Sequence, residues 1–240
     1  TYADGGCFAP KVISAMDREI SGTDSIARLY KAVLMIQFKL DGQAIMRNSS
    51  FCMEDRLLLD KIDFEKGTVR IGDKEYEMLD SDFPTVDPKD PYRLTAEEEQ
   101  VVERLRHAFV HCEKLQKHVR FLFAKGSMYK IFNSNLLYHG CVPMDEDGNF
   151  EQINVYGKLC SGKKLYEVLE TYARKGYYSQ DKEERRKGRD TLWYIWAGPK
   201  SPVFGKDKMA TFERYFIADK ETHKETKNAY YRLYDNEEIL

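Results

Sequence analysis

Apolar positions recur at helical spacing in four stretches of this chain and at strand spacing in three shorter ones. Ile26, Leu29, Val33, Ile36 and Leu40 fall on one helix face behind Asp24, a residue type suited to cap it, with an end near Gln43 and Ile45. A short helix is expected from about Met53 to Ile62, with Leu57, Leu58 and Ile62 inward. Residues 68–78 read as a β-hairpin closed by Gly72-Asp73. Residues 80–93 carry Pro84, Pro88, Pro91 and several acids, and read as a stiff extended linker and an internal boundary. Thr95 and Glu98 form a capping box. It opens the longest periodic stretch (Val102, Leu105, Phe109, Cys112, Leu115, Val119, Leu122), expected as one helix of about 29 residues, roughly 43 Å long, stopped at Gly126.

Two adjacent strands then flank the N-S-N turn at 133–135, the second ending at His139. A polar turn at 145–149 leads to another hairpin, I-N-V-Y-G-K-L-C. Ser161 is placed to cap a helix reaching about Tyr178. The run 181–190, D-K-E-E-R-R-K-G-R-D, reads as solvated and irregular. Residues 1–23 show no periodicity and read as an irregular lead-in, and Asn236 to Leu240 as a short terminal helix. No internal repeat is present.

Composition narrows the class. A chain of 240 residues with 42% hydrophobic and 13% aromatic content can bury a substantial core in one or two domains. Charged residues make up 32%, yet they sum to a formal net charge of −2. That balance argues against a nucleic-acid surface and against attraction to anionic membranes. No apolar run approaches bilayer-spanning length. Five widely spaced cysteines without a C-x-x-C fit reduced thiols in a cytoplasmic protein.

The richest candidate chemistry lies in N-L-L-Y-H-G-C-V-P-M, residues 135–144. A strand ending in His-Gly presents an imidazole at a sheet rim. The glycine permits close approach of backbone, metal or phosphate. The plainer role for His139 is an imidazole bonded to a backbone carbonyl. His107 and His111 share a helix face, with His118 one heptad on, but Ala-Phe-Val between the first two supplies no general base. Arg104, Arg106 and Arg120 suit phosphate or, more simply, pairs with Glu103 and Glu113. Trp193, Tyr194, Trp196 and Phe204 suit a stacking platform or an aromatic core. Neither a P-loop nor G-x-S-x-G occurs.

Several long segments match a family in order and spacing. They are 105–123 (L-R-H-A-F-V-H-C-E-K-L-Q-K-H-V-R-F-L-F), 133–144, 191–206 (T-L-W-Y-I-W-A-G-P-K-S-P-V-F-G-K) and 204–225 (F-G-K-D-K-M-A-T-F-E-R-Y-F-I-A-D-K-E-T-H-K-E), with D-F-P-T-V-D-P-K-D-P-Y at 82–92. From about residue 24 onward the chain resembles the bacterial class III fructose-1,6-bisphosphatases, within the calcineurin-like metallophosphoesterases. The resemblance implies an α/β fold, part of a four-layer α/β/β/α sandwich. Residues 24–93 would form a mostly helical insertion and 94–240 the second part of the α/β domain. It implies hydrolysis of a sugar bisphosphate, fructose 1,6-bisphosphate, in gluconeogenesis in the cytoplasm. It implies two divalent ions, manganese preferred, with His139 as one metal ligand and Arg214 near substrate phosphate. The family's Gly-Asp-X-X-Asp-Arg-Gly and Gly-Asn-His-Asp motifs are missing here, so the chain reads as an interior piece, inactive alone. A protein serine/threonine phosphatase and a non-catalytic interaction module are the alternatives, and a homo-oligomer is neither implied nor excluded.

Overall fold

The computed structural model describes residues 23–237. Residues 1–22 of the lead-in expected over 1–23 lie outside them, while Thr23 already begins a helix; residues 238–240 of the expected terminal helix lie outside them too. The fold is mixed α/β, and it divides into two compact units built from interleaved segments. Unit 1 takes residues up to Arg47, then Met53–Arg106 and Ala210–Lys224; unit 2 takes Asn48–Cys52, His107–Met209 and Glu225 onward.

Unit 1 opens with α1, Thr23–Arg47, so Asp24 lies inside the helix rather than before it. The buried face is not the one the apolar periodicity marks. Leu29, Tyr30 and Val33 are exposed, while Ala27, Lys31, Leu34, Met35 and Lys39 are buried. Two lysines enter the core because each meets an acid brought from far along the chain. Lys31 Nζ lies 2.8 Å from Asp80, and Lys39 Nζ lies 2.7 Å from Glu98 and 2.6 Å from the Thr85 carbonyl. Buried charges persist only when paired in this way.

The helix expected at 53–62 is a series of 3-10 turns instead, at Glu54–Arg56 and Leu59–Lys61. Its leucines still face the core. The turn aims Arg56 at the fully buried Glu213, which it holds in a fork of 2.7 and 2.9 Å. Strands β1 (Ile62–Asp63), β2 (Thr68–Ile71) and β3 (Lys74–Glu77) form one antiparallel sheet, with Gly72 at φ 59° in the expected turn. Residues 80–93 do not run free as an extended linker. Phe83, Val86 and Tyr92 plug into the same cluster as Leu34, Met35, Phe212 and Phe216.

The capping box forms as expected. The Thr95 amide donates to Glu98 Oε2 at 2.9 Å, and the Glu98 amide donates to Thr95 Oγ1 at 3.2 Å. The helix it starts, α2 (Ala96–His111), breaks at an extended Cys112, and α3 (Glu113–Lys125) follows. The Gln116 side-chain amide donates to the Phe109 carbonyl across the break, at 3.1 Å. One continuous helix was expected here; the side-chain bond replaces helical partners that the break removes.

In unit 2, β4 (Tyr129–Phe132) pairs with β5 (Asn135–Tyr138), and β6 (Ile153–Val155) with β7 (Lys158–Cys160). Asn133 and Ser134 both take positive φ (48° and 61°), as do Tyr156 and Gly157 (50° and 83°), the conformation two-residue hairpins require. Helix α4, Gly162–Tyr178, follows Ser161, which sits at the N-cap without a side-chain bond. The run 181–190 is not irregular. Asp181 caps α5, Lys182–Ala197, by accepting the Glu184 amide, and Arg186 pairs with Glu183 and Asp190. Helices α4 and α5 meet at Gly176 and Gly188, backbone against backbone. Short helices α6 (Thr211–Phe216, in unit 1) and α7 (Tyr230–Leu233, in unit 2) complete the described α-helices.

Candidate functional site

His139 lies at the bend that ends β5, exposed, and its imidazole makes no hydrogen bond among the described residues. The turn carrying it is tightly held. Tyr138 and Tyr230 share a hydroxyl hydrogen bond of 2.6 Å just before the turn. Just after it, the Cys141 amide donates to the Pro202 carbonyl at 2.7 Å, and Tyr166 donates its hydroxyl to the Cys141 carbonyl at 2.8 Å. Gly140 sits at φ 91°, and a Cβ there would lie 3.1 Å from the Pro202 carbonyl carbon and closer still to its oxygen. Only glycine lets these two backbones approach so closely. Further on, Asn228 Oδ1 accepts the Met144 amide at 3.0 Å.

Burial weakens Tyr166, Tyr230 and Cys141 as acids. Desolvation pushes the Tyr166 and Tyr230 phenols well above their usual range and the buried Cys141 thiol up to about 11. Tyr166, Tyr230 and the Cys141 thiol therefore keep their protons at physiological pH: they hold the turn and supply no nucleophile.

Arg214 is exposed on α6, in the other unit from His139. Its neighbour Glu213 faces Arg56. His107 and His111 are exposed and stacked at 3.9 Å, with His111 Nδ1 2.8 Å from the His107 carbonyl. Arg106 pairs with Glu103, the simpler of its expected roles. Tyr194 is core, packed on Phe51 at 4.6 Å, whereas Trp196 is half exposed.

Among the described residues, no group of three or more His, Cys, Asp or Glu side chains is placed to hold a metal ion. The donors present therefore do not make a metal site by themselves. Cys52 and Cys112 are exposed, Cys141 and Cys160 buried, and all four are free thiols.

Two concavities belong to unit 2. One, of about 490 Å³, has a wall fixed by Arg174, which donates to Glu170 and to the Phe123 and Gly126 carbonyls. The other, of about 360 Å³, is bordered by Met144, Glu151, Lys200, Lys206, Asp207 and Lys227. Its lysines were not singled out from sequence. Their only signal is a lysine directly after Gly-Pro at 200 and after Phe-Gly at 206, inside the stretches that match the family.

A family model for the Firmicute fructose-1,6-bisphosphatases matches residues 1–240. Curated relatives bear the name "Fructose-1,6-bisphosphatase class 3". The one from Clostridium botulinum is 49% identical over 99% of this chain and 37% of its own length. That from Clostridioides difficile is 50% identical over 98% of this chain and 36% of its own. That from Bacteroides fragilis is 50% identical over the whole chain and 37% of its own. The chain thus spans little more than a third of these relatives. No solved structure matches it. No helix among the described residues is long and apolar enough to cross a membrane. On the match along its full length and the identity to these relatives, the chain belongs to the Firmicute fructose-1,6-bisphosphatase family.

Proposed function

We propose that these residues serve a phosphoric monoester hydrolase that converts fructose 1,6-bisphosphate to fructose 6-phosphate and phosphate, acting in gluconeogenesis in the cytoplasm. The observation that carries the reading is identity near one half, along the whole chain, to enzymes bearing that name. In this reading residues 24–93 are a mostly helical insertion, and 94–240 contribute to a calcineurin-like α/β/β/α sandwich. The exposed apolar side chains on both faces of the β4–β5 hairpin (Ile131 and Leu136, Phe132 and Leu137) support further layers packed against it. A two-stranded sheet alone is marginal in water.

His139 is the proposed metal ligand: its imidazole is exposed, uncommitted and carried on a pinned turn. Divalent ions, manganese preferred, would need ligands beyond it, because the described residues build no metal cluster. Arg214 is the proposed contact to substrate phosphate.

The test is phosphate release from fructose 1,6-bisphosphate with added manganese. A polypeptide of the relatives' length that carries these residues turns over, and His139→Ala abolishes turnover while leaving the circular dichroism spectrum unchanged. The 240-residue chain alone releases no phosphate. Full activity in His139→Ala, or turnover by the short chain, refutes the assignment.

A further inference from the structure

The cavity bordered by Lys200, Lys206 and Lys227 has a charge arrangement that packing does not require. Lys206 and Lys227 face each other across an isolated antiparallel bridge. Three bonds fix that bridge: the Asp207 amide to the Thr226 carbonyl at 2.9 Å, the Thr226 amide to Asp207 Oδ1 at 2.7 Å, and the Asn228 amide to the Gly205 carbonyl at 3.0 Å. Directly opposed residues project to the same side, and like charges in that position destabilise the pairing. Lys206 is offset by Glu225 at 2.8 Å. Lys227 meets no carboxylate among the described residues; its ammonium lies over the Tyr231 ring at 5.7 Å. Lys200, on the neighbouring loop, reaches Glu151 at 2.8 Å.

The rim also carries Asp145, Glu146, Glu151 and Asp207, so its carboxylates outnumber its ammonium groups. A bare anion is a poor match for such a wall. A phosphorylated polyol fits better, because its hydroxyls donate to carboxylates while its phosphoryl oxygens accept from ammonium groups. The volume, about 360 Å³, lies within the range of small-molecule sites, roughly 300–1,000 Å³. The cavity is tied to the His139 turn by two links. Met144 lines it, and the Cys141–Pro202 hydrogen bond joins that turn to the loop bearing Lys200.

We infer that this cavity holds a phosphate group of a phosphorylated sugar, with Lys206 and Lys227 on the phosphoryl oxygens and Glu151 and Asp207 toward the hydroxyls. The inference rests on the sugar-bisphosphatase reading and adds the residues that bind substrate. In the active, full-length polypeptide, Lys227→Met raises KM for fructose 1,6-bisphosphate about 10- to 100-fold and leaves kcat within about threefold, as expected for loss of one charge-assisted hydrogen bond. The control Lys158→Met, on β7, leaves KM unchanged. A Lys227→Met KM within about twofold of the parent overturns the inference while the bisphosphatase reading stands.

If the parent releases no phosphate, the bisphosphatase reading fails, and calorimetric titration of the 240-residue chain judges the cavity by itself. Saturable binding of fructose 1,6-bisphosphate that Lys227→Met removes upholds it. No saturable binding, or equal affinity for inorganic phosphate, overturns it.

Discussion

Replacing Gly188 by alanine sets two effects of opposite sign against each other. In a helix interior, alanine is favoured over glycine by about 1 kcal/mol. At this position the new Cβ would lie 2.5 Å from the Tyr172 carbonyl oxygen, and nearer still to the Gly176 amide nitrogen and Cα. These neighbours are backbone atoms of α4, so no side chain can swing aside. The two helices must separate, and a gap of about 0.5–1 Å forfeits a quarter to a half of each dispersion contact along the seam. Leu165, Leu169 and Ala173 on α4 and Thr191 and Tyr194 on α5 are all buried in this unit and are exposed to that loss. Ordinary overpacking costs about 1–3 kcal/mol, and backbone obstruction belongs at the upper end or beyond. After the propensity gain, a net destabilisation of about 2 kcal/mol or more remains. At about 2–4 °C per kcal/mol for a chain of this size, Gly188→Ala unfolds roughly 4–8 °C below the parent. Tryptophan fluorescence is the direct assay, since both tryptophans, Trp193 and Trp196, lie on α5 itself. A variant that melts at or above the parent would show that propensity outweighs the helix seam, and the packing argument would be wrong.

Two further outcomes follow from the buried groups. Glu98→Ala removes the carboxylate partner of fully buried Lys39 together with half of the capping box, and urea unfolding reads a loss of about 3–5 kcal/mol; adding Lys39→Met to that variant restores part of the loss, whereas a single-variant cost below about 1 kcal/mol contradicts the pairing. Among the described cysteines, thiol labelling at pH 8 followed by mass spectrometry marks Cys52 and Cys112 before Cys141, because both are exposed while burial holds the Cys141 thiol up at about 11; early labelling of Cys141 in the folded chain contradicts its placement.

What the sequence made legible was local chemistry. The turn at Gly72, the N-S-N turn and the Tyr156-Gly157 turn each carry residues that set the hairpin themselves, and the Thr95–Glu98 box needs only four consecutive residues. The inward face of α1 was hidden because Lys31 and Lys39 read as solvent-facing. Their acids, Asp80 and Glu98, lie 49 and 59 residues away in sequence. The helix over 182–197 was hidden by its charge density, although Asp181 as a cap and the Glu183–Arg186 spacing were its signature. The extended residue at Cys112 leaves no mark, since the apolar period continues through it. At the candidate site, His139 and its turn were legible from His-Gly. The tyrosines and proline that fix the turn were not, because Tyr166, Pro202 and Tyr230 come from three distant segments.

The interleaving of the two units bears on how the chain is made. The cluster around Met35 and Phe83 is closed by Phe212, Phe216 and Ile217, and Glu213 brings the acid that receives Arg56. Those residues emerge from the ribosome only after the whole stretch 107–209 has been translated. At elongation speeds of about 5–20 residues per second, the earlier segments of unit 1 wait some seconds for their closing segment. During that interval their apolar surface is incomplete, which makes these earlier segments a natural client for holding chaperones and leaves them exposed to proteases until residues 210–224 are synthesised.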